Sequence, residues 1–222
     1  MRKINKFVSY TDQVYKELKS NILLGKISTG TFLQERTIAE KLGVSRTPVR
    51  EALKRLEVEG WVETIPWKGV IVKEIEEQDV IEVFQCRLAN EIFMIKLITP
   101  NLTDEQIKDL QDIFLKMKVA QQEGKGDELI DEDREFHMYL AKLTNNSRLI
   151  QFLDNLSDQI LRLGVKAITK EFRSDEALSE HEKLLEALER RSVEAAVQAM
   201  EEHINQTHEV LMRMVKDHKK EK

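Results

Sequence analysis

The chain has 222 residues, of which 41% are hydrophobic and 34% charged, with 8 Gly and 3 Pro; that describes a helix-rich globular chain long enough for two domains and excludes a disordered or collagen-like one. A lone cysteine, Cys86, excludes an intramolecular disulfide, and no apolar run approaches the ~20 residues of a membrane span or the pattern of a signal peptide, so a cytoplasmic protein with no membrane partner is expected. The net charge of −5 is unevenly spread: residues 1–73 carry +6 and residues 74–222 carry −11, the distribution of a nucleic-acid-binding head on an acidic body.

From Asp12 to Leu24 the positions Val14, Tyr15, Leu18 and Ile22 recur at helical spacing until Gly25, which predicts a first helix. A short second helix is expected over 37–42 before Gly43, and a third over 45–59 with Val49, Ala52, Leu53 and Leu56 on one side. Two β-prone runs, 61–64 and 70–72, are joined by Ile65-Pro66-Trp67-Lys68-Gly69, which has hairpin punctuation. Helix, helix, turn, helix and hairpin is the order of a winged helix-turn-helix. In its central stretch Ala39 is small where two helices cross, Gly43 permits the turn, Ser45 is an N-cap candidate and Pro48 falls in the first helical turn. Arg46, Thr47 and Arg50 then project from the start of the third helix, where donors suit phosphates and guanine edges.

The string Ser45-Arg-Thr-Pro-Val-Arg50, with Phe32 to Arg36 before it and Arg55 to Val62 after it, resembles the GntR family of regulators, in its FadR branch, over about residues 10–73. The resemblance implies that Arg36, Ser45, Arg46, Thr47 and Arg50 meet DNA, with Lys68 and Gly69 at the wing tip. It departs from the family at Thr29-Gly30, where Pro-Gly is usual. A single recognition helix reads few base pairs, so a homodimer on a short inverted repeat of double-stranded operator DNA is expected.

After Lys73 the strand signals cease, and six helices are expected over about 76–98, 103–123, 126–143, 147–171, 175–190 and 192–217. Pro100, a Thr103–Gln106 capping box, Gly124, Gly126 and Ser192 mark the breaks; the Lys-rich tail from Lys216 is expected to fray. The fold class is therefore mainly α, with a DNA-binding domain over 1–73 and an antiparallel all-helical bundle over 74–222.

Helical spacing puts Asp133 and His137, His181, and His203 on the core-facing stripes of three of these helices, where unpaired polar groups are costly. A divalent metal would compensate them, since one carboxylate and three imidazoles suit zinc first, and nickel, manganese or iron also; histidines hydrogen-bonded to one another or to backbone are the alternative. His208 and His218 lie off the stripe or in the tail and are expected at the surface. On the first of the six helices Arg87 faces inward among apolar neighbours, as a carboxylate-binding group or as the partner of Glu91 one turn on.

This part resembles the FCD ligand-binding domain of FadR-branch regulators over about 76–215, and six helices match its VanR-like subgroup. Asp133-x-x-x-His137, His181 and His203 follow the order of the family's metal ligands, and the likeness implies a small organic acid bound by Arg87 and the ion. The function expected is a ligand-responsive regulator, a repressor of a catabolic operon, and not an enzyme. A metal-dependent enzyme with a DNA-binding appendage and a direct metal sensor are the alternatives.

Overall fold

A computed structural model describes residues 9–164 and 173–220, which fall into two compact units, residues 1–74 and 75–222. In the first unit, α1 (Tyr10–Leu23) starts two residues before the expected helix because the Ser9 hydroxyl accepts the Asp12 N–H. α2 (Glu35–Leu42) ends at Gly43, whose φ of 65° lets the chain turn into α3 (Arg46–Val58). The wing, β2 (Val62–Ile65) and β3 (Gly69–Val72), is antiparallel with Val62 opposite Val72. A further strand, β1 (Phe32–Leu33), pairs with β3 to give the order β1-β3-β2. Val49, Ala52, Leu56 and Trp61 are wholly buried at the centre of this unit. Across its flank Glu59 accepts the Tyr15 hydroxyl at 2.6 Å and pairs with Lys19 at 3.1 Å, which fixes α1 against the end of α3.

The second unit is helical throughout its described residues. α4 (Glu77–Ile98) opens with a capping box between Glu76 and Asp79, runs into a 3-10 turn (Thr99–Asn101), and is followed by α5 (Asp104–Gln122), where Thr103 and Gln106 form theirs. α6 (Gly126–Leu143), α7 (Ser147–Gly164), α8 (Arg173–Glu189) and α9 (Val193–Lys220) complete it. The expected continuation of α7 to residue 171, and Glu221 and Lys222 of the tail, lie outside the described residues. α9 packs on α4 and α8, α5 on α6 and α8, and α7 on α4 and α6, so α4, α6, α8 and α9 surround one core that includes Met94, Phe136, Leu140, Leu184 and Met200. His208 is not the surface residue expected: its ring lies tilted against Phe84 with centroids 5.1 Å apart and its Nε2 is buried.

Candidate metal centre and nucleic-acid face

At the start of α3, Arg46 and Arg50 are exposed one turn apart, and both reach back to Glu35, the first residue of α2. Arg50 Nε and Nη2 donate to the two carboxylate oxygens at 2.9 Å each, and Arg46 Nη2 donates to Oε2 at 3.0 Å. The hydrogen bonds from Arg50 above all, with those from Arg46, hold the Glu35 carboxyl down to about 2. Thr47 is exposed beside them. Ser45 occupies the N-cap position and is exposed, but its side chain makes no capping bond, so the hydroxyl is not spent on the helix as expected. Arg36 is exposed and pairs with Glu40 at 2.9 Å. At the wing tip Lys68 and Gly69 are exposed, and next to them stands Trp67, fully exposed and with φ 66°. The sequence reading passed over Trp67; its place between Pro66 and Lys68 in the hairpin punctuation was the available signal.

In the second unit one donor atom from each of Asp133, His137, His181 and His203 lies within 4.8 Å of the others. The three imidazoles are buried and the carboxylate is about one-third exposed. Each ring is held from behind by an acceptor. His137 Nδ1 lies 2.6 Å from Glu91 Oε2, His203 Nδ1 2.9 Å from Glu180 Oε2, and His181 Nδ1 2.8 Å from the Ala177 carbonyl oxygen. A carbonyl or ionised carboxylate only accepts, so Nδ1 carries a proton in all three rings, and in the neutral imidazole Nε2 is then the atom that carries the lone pair. These lone pairs converge. His137 Nε2 is 3.2 Å from His203 Nε2, and His181 Nε2 is 3.2 Å from Asp133 Oδ1 with no hydrogen-bond partner. Burial pushes the His181 and His203 imidazoles below their ordinary value, which favours the neutral, ligating form.

Four acceptors facing one another in a largely buried centre are mutually unfavourable without a cation, and carboxylate–histidine pairs of this kind orient metal-bound imidazoles. The donor set therefore fits a divalent ion. Arg87 stands at the edge of the same centre. Its Nε donates to Glu91 Oε1 at 2.5 Å, the internal pair weighed as an alternative, while Nη2 points at His137 Nε2 at 3.1 Å and lies 3.4 Å from His203 Nε2. Burial opposes ionisation of Glu91, but Arg87 and then His137 hold its carboxyl well below the usual range. Glu91 as a hydrogen-bond partner of His137, and Glu180 altogether, were missing from the sequence reading. A cavity of about 90 Å³ opens from this cluster between α6, α7 and α9.

Two family descriptions match the chain: bacterial regulatory proteins, gntR family, over residues 10–72, and the FCD domain over residues 82–206. The chain belongs to the GntR family. It is a DNA-binding transcription regulator of the GntR type with an FCD domain, and the two matches fall one in each compact unit. Among relatives, the uncharacterised HTH-type regulator YdhC of Bacillus subtilis is 28% identical over 98% of this chain and 97% of its own. The gluconate operon transcriptional repressor of the same species is 29% identical over 87% of this chain and 81% of its own. The solved structure of Escherichia coli McbR/YncC superposes with a TM-score of 0.77 at 27% identity, covering 94% of this chain and 99% of that one. This GntR-family chain has, among its described residues, no helix long and apolar enough to cross a membrane.

Proposed function

We propose that this GntR-family regulator is an effector-responsive repressor whose FCD domain holds one divalent ion, zinc first in order of fit. Asp133, His137, His181 and His203 would be its ligands, and a small carboxylate its effector. The observation that carries the reading is the three imidazole Nε2 atoms held with their lone pairs inward by Glu91, Glu180 and the Ala177 carbonyl. When bound, the ion supplies a Lewis-acidic centre with coordination positions open to an anionic oxygen. Arg87 presents Nη2 to the same space and would take part in holding the carboxylate, as a planar donor already fixed by Glu91. The reading is binding and not turnover, in line with relatives named as transcriptional regulators and repressors.

Residues 1–73 would act as the DNA-binding domain and 74–222 as the sensor of a cytoplasmic homodimer on a two-fold operator, with Arg36, Ser45, Arg46, Thr47, Arg50, Lys68 and Gly69 as the DNA contacts. An effector would act by favouring one of two arrangements of the dimer, and therefore by its difference in affinity between them. One set of variants tests both ends of the molecule. Protein purified without added metal or chelator is expected to contain close to one ion per chain by elemental analysis, and His203→Ala to lose it. Arg46→Ala is expected to weaken operator binding by about 1–3 kcal/mol while retaining the ion. Full metal in His203→Ala, or full operator affinity in the Arg46→Ala/Arg50→Ala double variant, would falsify the corresponding assignment.

A further inference from the structure

The cavity that opens from the imidazole cluster changes character away from it. Along α9 the wall passes from His203 through Thr207 to Val210 and Leu211; α7 contributes Ile160 and Leu161, α6 Leu129, and α5 Met117. Beyond the cluster the described walls are thus chiefly hydrocarbon. Two small hydroxyls stand on these walls, Ser157, which donates only to the Met138 sulfur at 3.8 Å, and Ser174; the other polar groups are already engaged. Thr207 Oγ1 donates to the His203 carbonyl at 3.0 Å, and Arg134 pairs with Asp154 at 2.8 Å and Asp158 at 2.7 Å. Arg87, the other guanidinium on the wall, lies at the cluster end and is paired with Glu91. Against the described walls a second charged end on a ligand would therefore have to break an existing ion pair or lie unpaired against apolar side chains, and either is unfavourable. A volume of about 90 Å³ exceeds several-fold the ~10–15 Å³ that one water needs, so the space takes a short organic body.

We propose that the effector is a monocarboxylic acid with a short hydrocarbon body, its carboxylate at the Asp133/His137/His181/His203 cluster and its body against Leu129, Ile160, Leu161, Val210 and Leu211. This deepens, and rests on, the reading of the cluster as a carboxylate site. It sets the effector apart from dicarboxylates and from acids whose body is polar throughout, since only the small hydroxyls of Ser157 and Ser174 would meet such groups in the apolar end. Burying each methylene contributes about 0.8 kcal/mol, which converts to roughly fourfold in affinity.

The test is calorimetric titration of acetate, butanoate and hexanoate, with 6-hydroxyhexanoate and glutarate as polar-ended controls, into the zinc-loaded full-length protein, with melting temperature as a second readout. Affinity is expected to rise about fourfold per methylene along the acid series, and both controls to bind more weakly than hexanoate. Val210→Thr keeps the shape of the wall and adds a hydroxyl; it is expected to weaken hexanoate several-fold and leave acetate and metal content unchanged. If hexanoate binds no tighter than acetate, or either control binds as tightly as hexanoate, the hydrocarbon body is overturned while the carboxylate site stands. If Val210→Thr weakens acetate and hexanoate equally, or neither, the placement of the body along α9 is overturned. If no acid in the panel gives heat or a thermal shift, the carboxylate site falls and this proposal with it.

Discussion

Glu35 is a carboxylate set among the arginines proposed to meet DNA, where a polyanion would compete with it for both guanidiniums. Because its carboxyl is held down to about 2, below the ~4.3 of an unfolded glutamate, the contribution of this pairing is complete above the unfolded value and is lost only as pH falls through about 2. The fork is therefore intact throughout the physiological range and acts as a constant restraint on Arg46 and Arg50. Both arginines are more than half exposed, so its strength is reduced by solvent and salt. Glu35→Gln keeps an acceptor and removes the charge; it is expected to raise affinity for scrambled DNA more than for operator and to steepen the salt dependence. Fluorescence anisotropy on both DNAs over a salt series checks this, and an unchanged operator-to-scrambled ratio would remove Glu35 from the account. The sequence pointed to Arg46 and Arg50 because a helix start displays them. It could not point to their partner, since contacts 11 and 15 residues apart in sequence are set by how α2 and α3 cross and not by periodicity.

Among the described residues, the wing carries the least buried aromatic side chain close to one of the most buried. Trp61 is sealed in the core at the entry to β2, and Trp67 stands free at the tip. An exposed indole in left-handed backbone contributes nothing to the core, so its value lies in what the tip meets. Trp67→Ala is expected to lower operator affinity with little change in melting temperature, and the wild-type tryptophan emission to shift on adding operator while that of the variant does not. An emission unaffected by DNA would place the tip away from the duplex. Helices with full apolar stripes were legible to within a few residues, because 3.6-residue periodicity over several turns is a strong signal. β1 was not, because two residues hold no periodicity, and only pairing with β3 makes Phe32 and Leu33 a strand. His208 was misplaced for a related reason: α9 is contacted by α4 and α8 on different sides, so more than one stripe of it is covered.

For the whole molecule, the two cores share no residue, with Val49, Leu56 and Trp61 in one and Phe136, Leu184 and Met200 in the other. Each unit therefore has its own apolar stabilisation, and a ligand bound in one adds its binding free energy to the stability of that one. An ion present at a hundredfold its Kd adds about 2.7 kcal/mol to the unit that binds it, or roughly 5–10 °C for a unit of this size. Scanning calorimetry is expected to resolve two transitions, with chelator lowering the one that belongs to residues 75–222 and leaving the other in place. Equal displacement of both would mean that the units unfold as one. Asp133, His137, His181 and His203 were legible as inward polar positions on three helices. That they converge within 4.8 Å is a property of how α6, α8 and α9 pack, and the supporting carboxylates Glu91 and Glu180 emerge only from that packing.

The same cluster has a consequence for the order in which the chain folds. Its contacts join positions 46, 66 and 23 residues apart, Glu91 with His137, His137 with His203 and Glu180 with His203. Local helices form on the microsecond scale, but a centre drawn from α4, α6, α8 and α9 closes only after all four have docked, when the loop-closure entropy of each long span has been overcome. A chain with one of these helices displaced by a turn buries a lone pair or a carboxylate with nothing opposite it. With an ion bound, the centre would thus penalise misdocked bundles that an apolar core alone would tolerate.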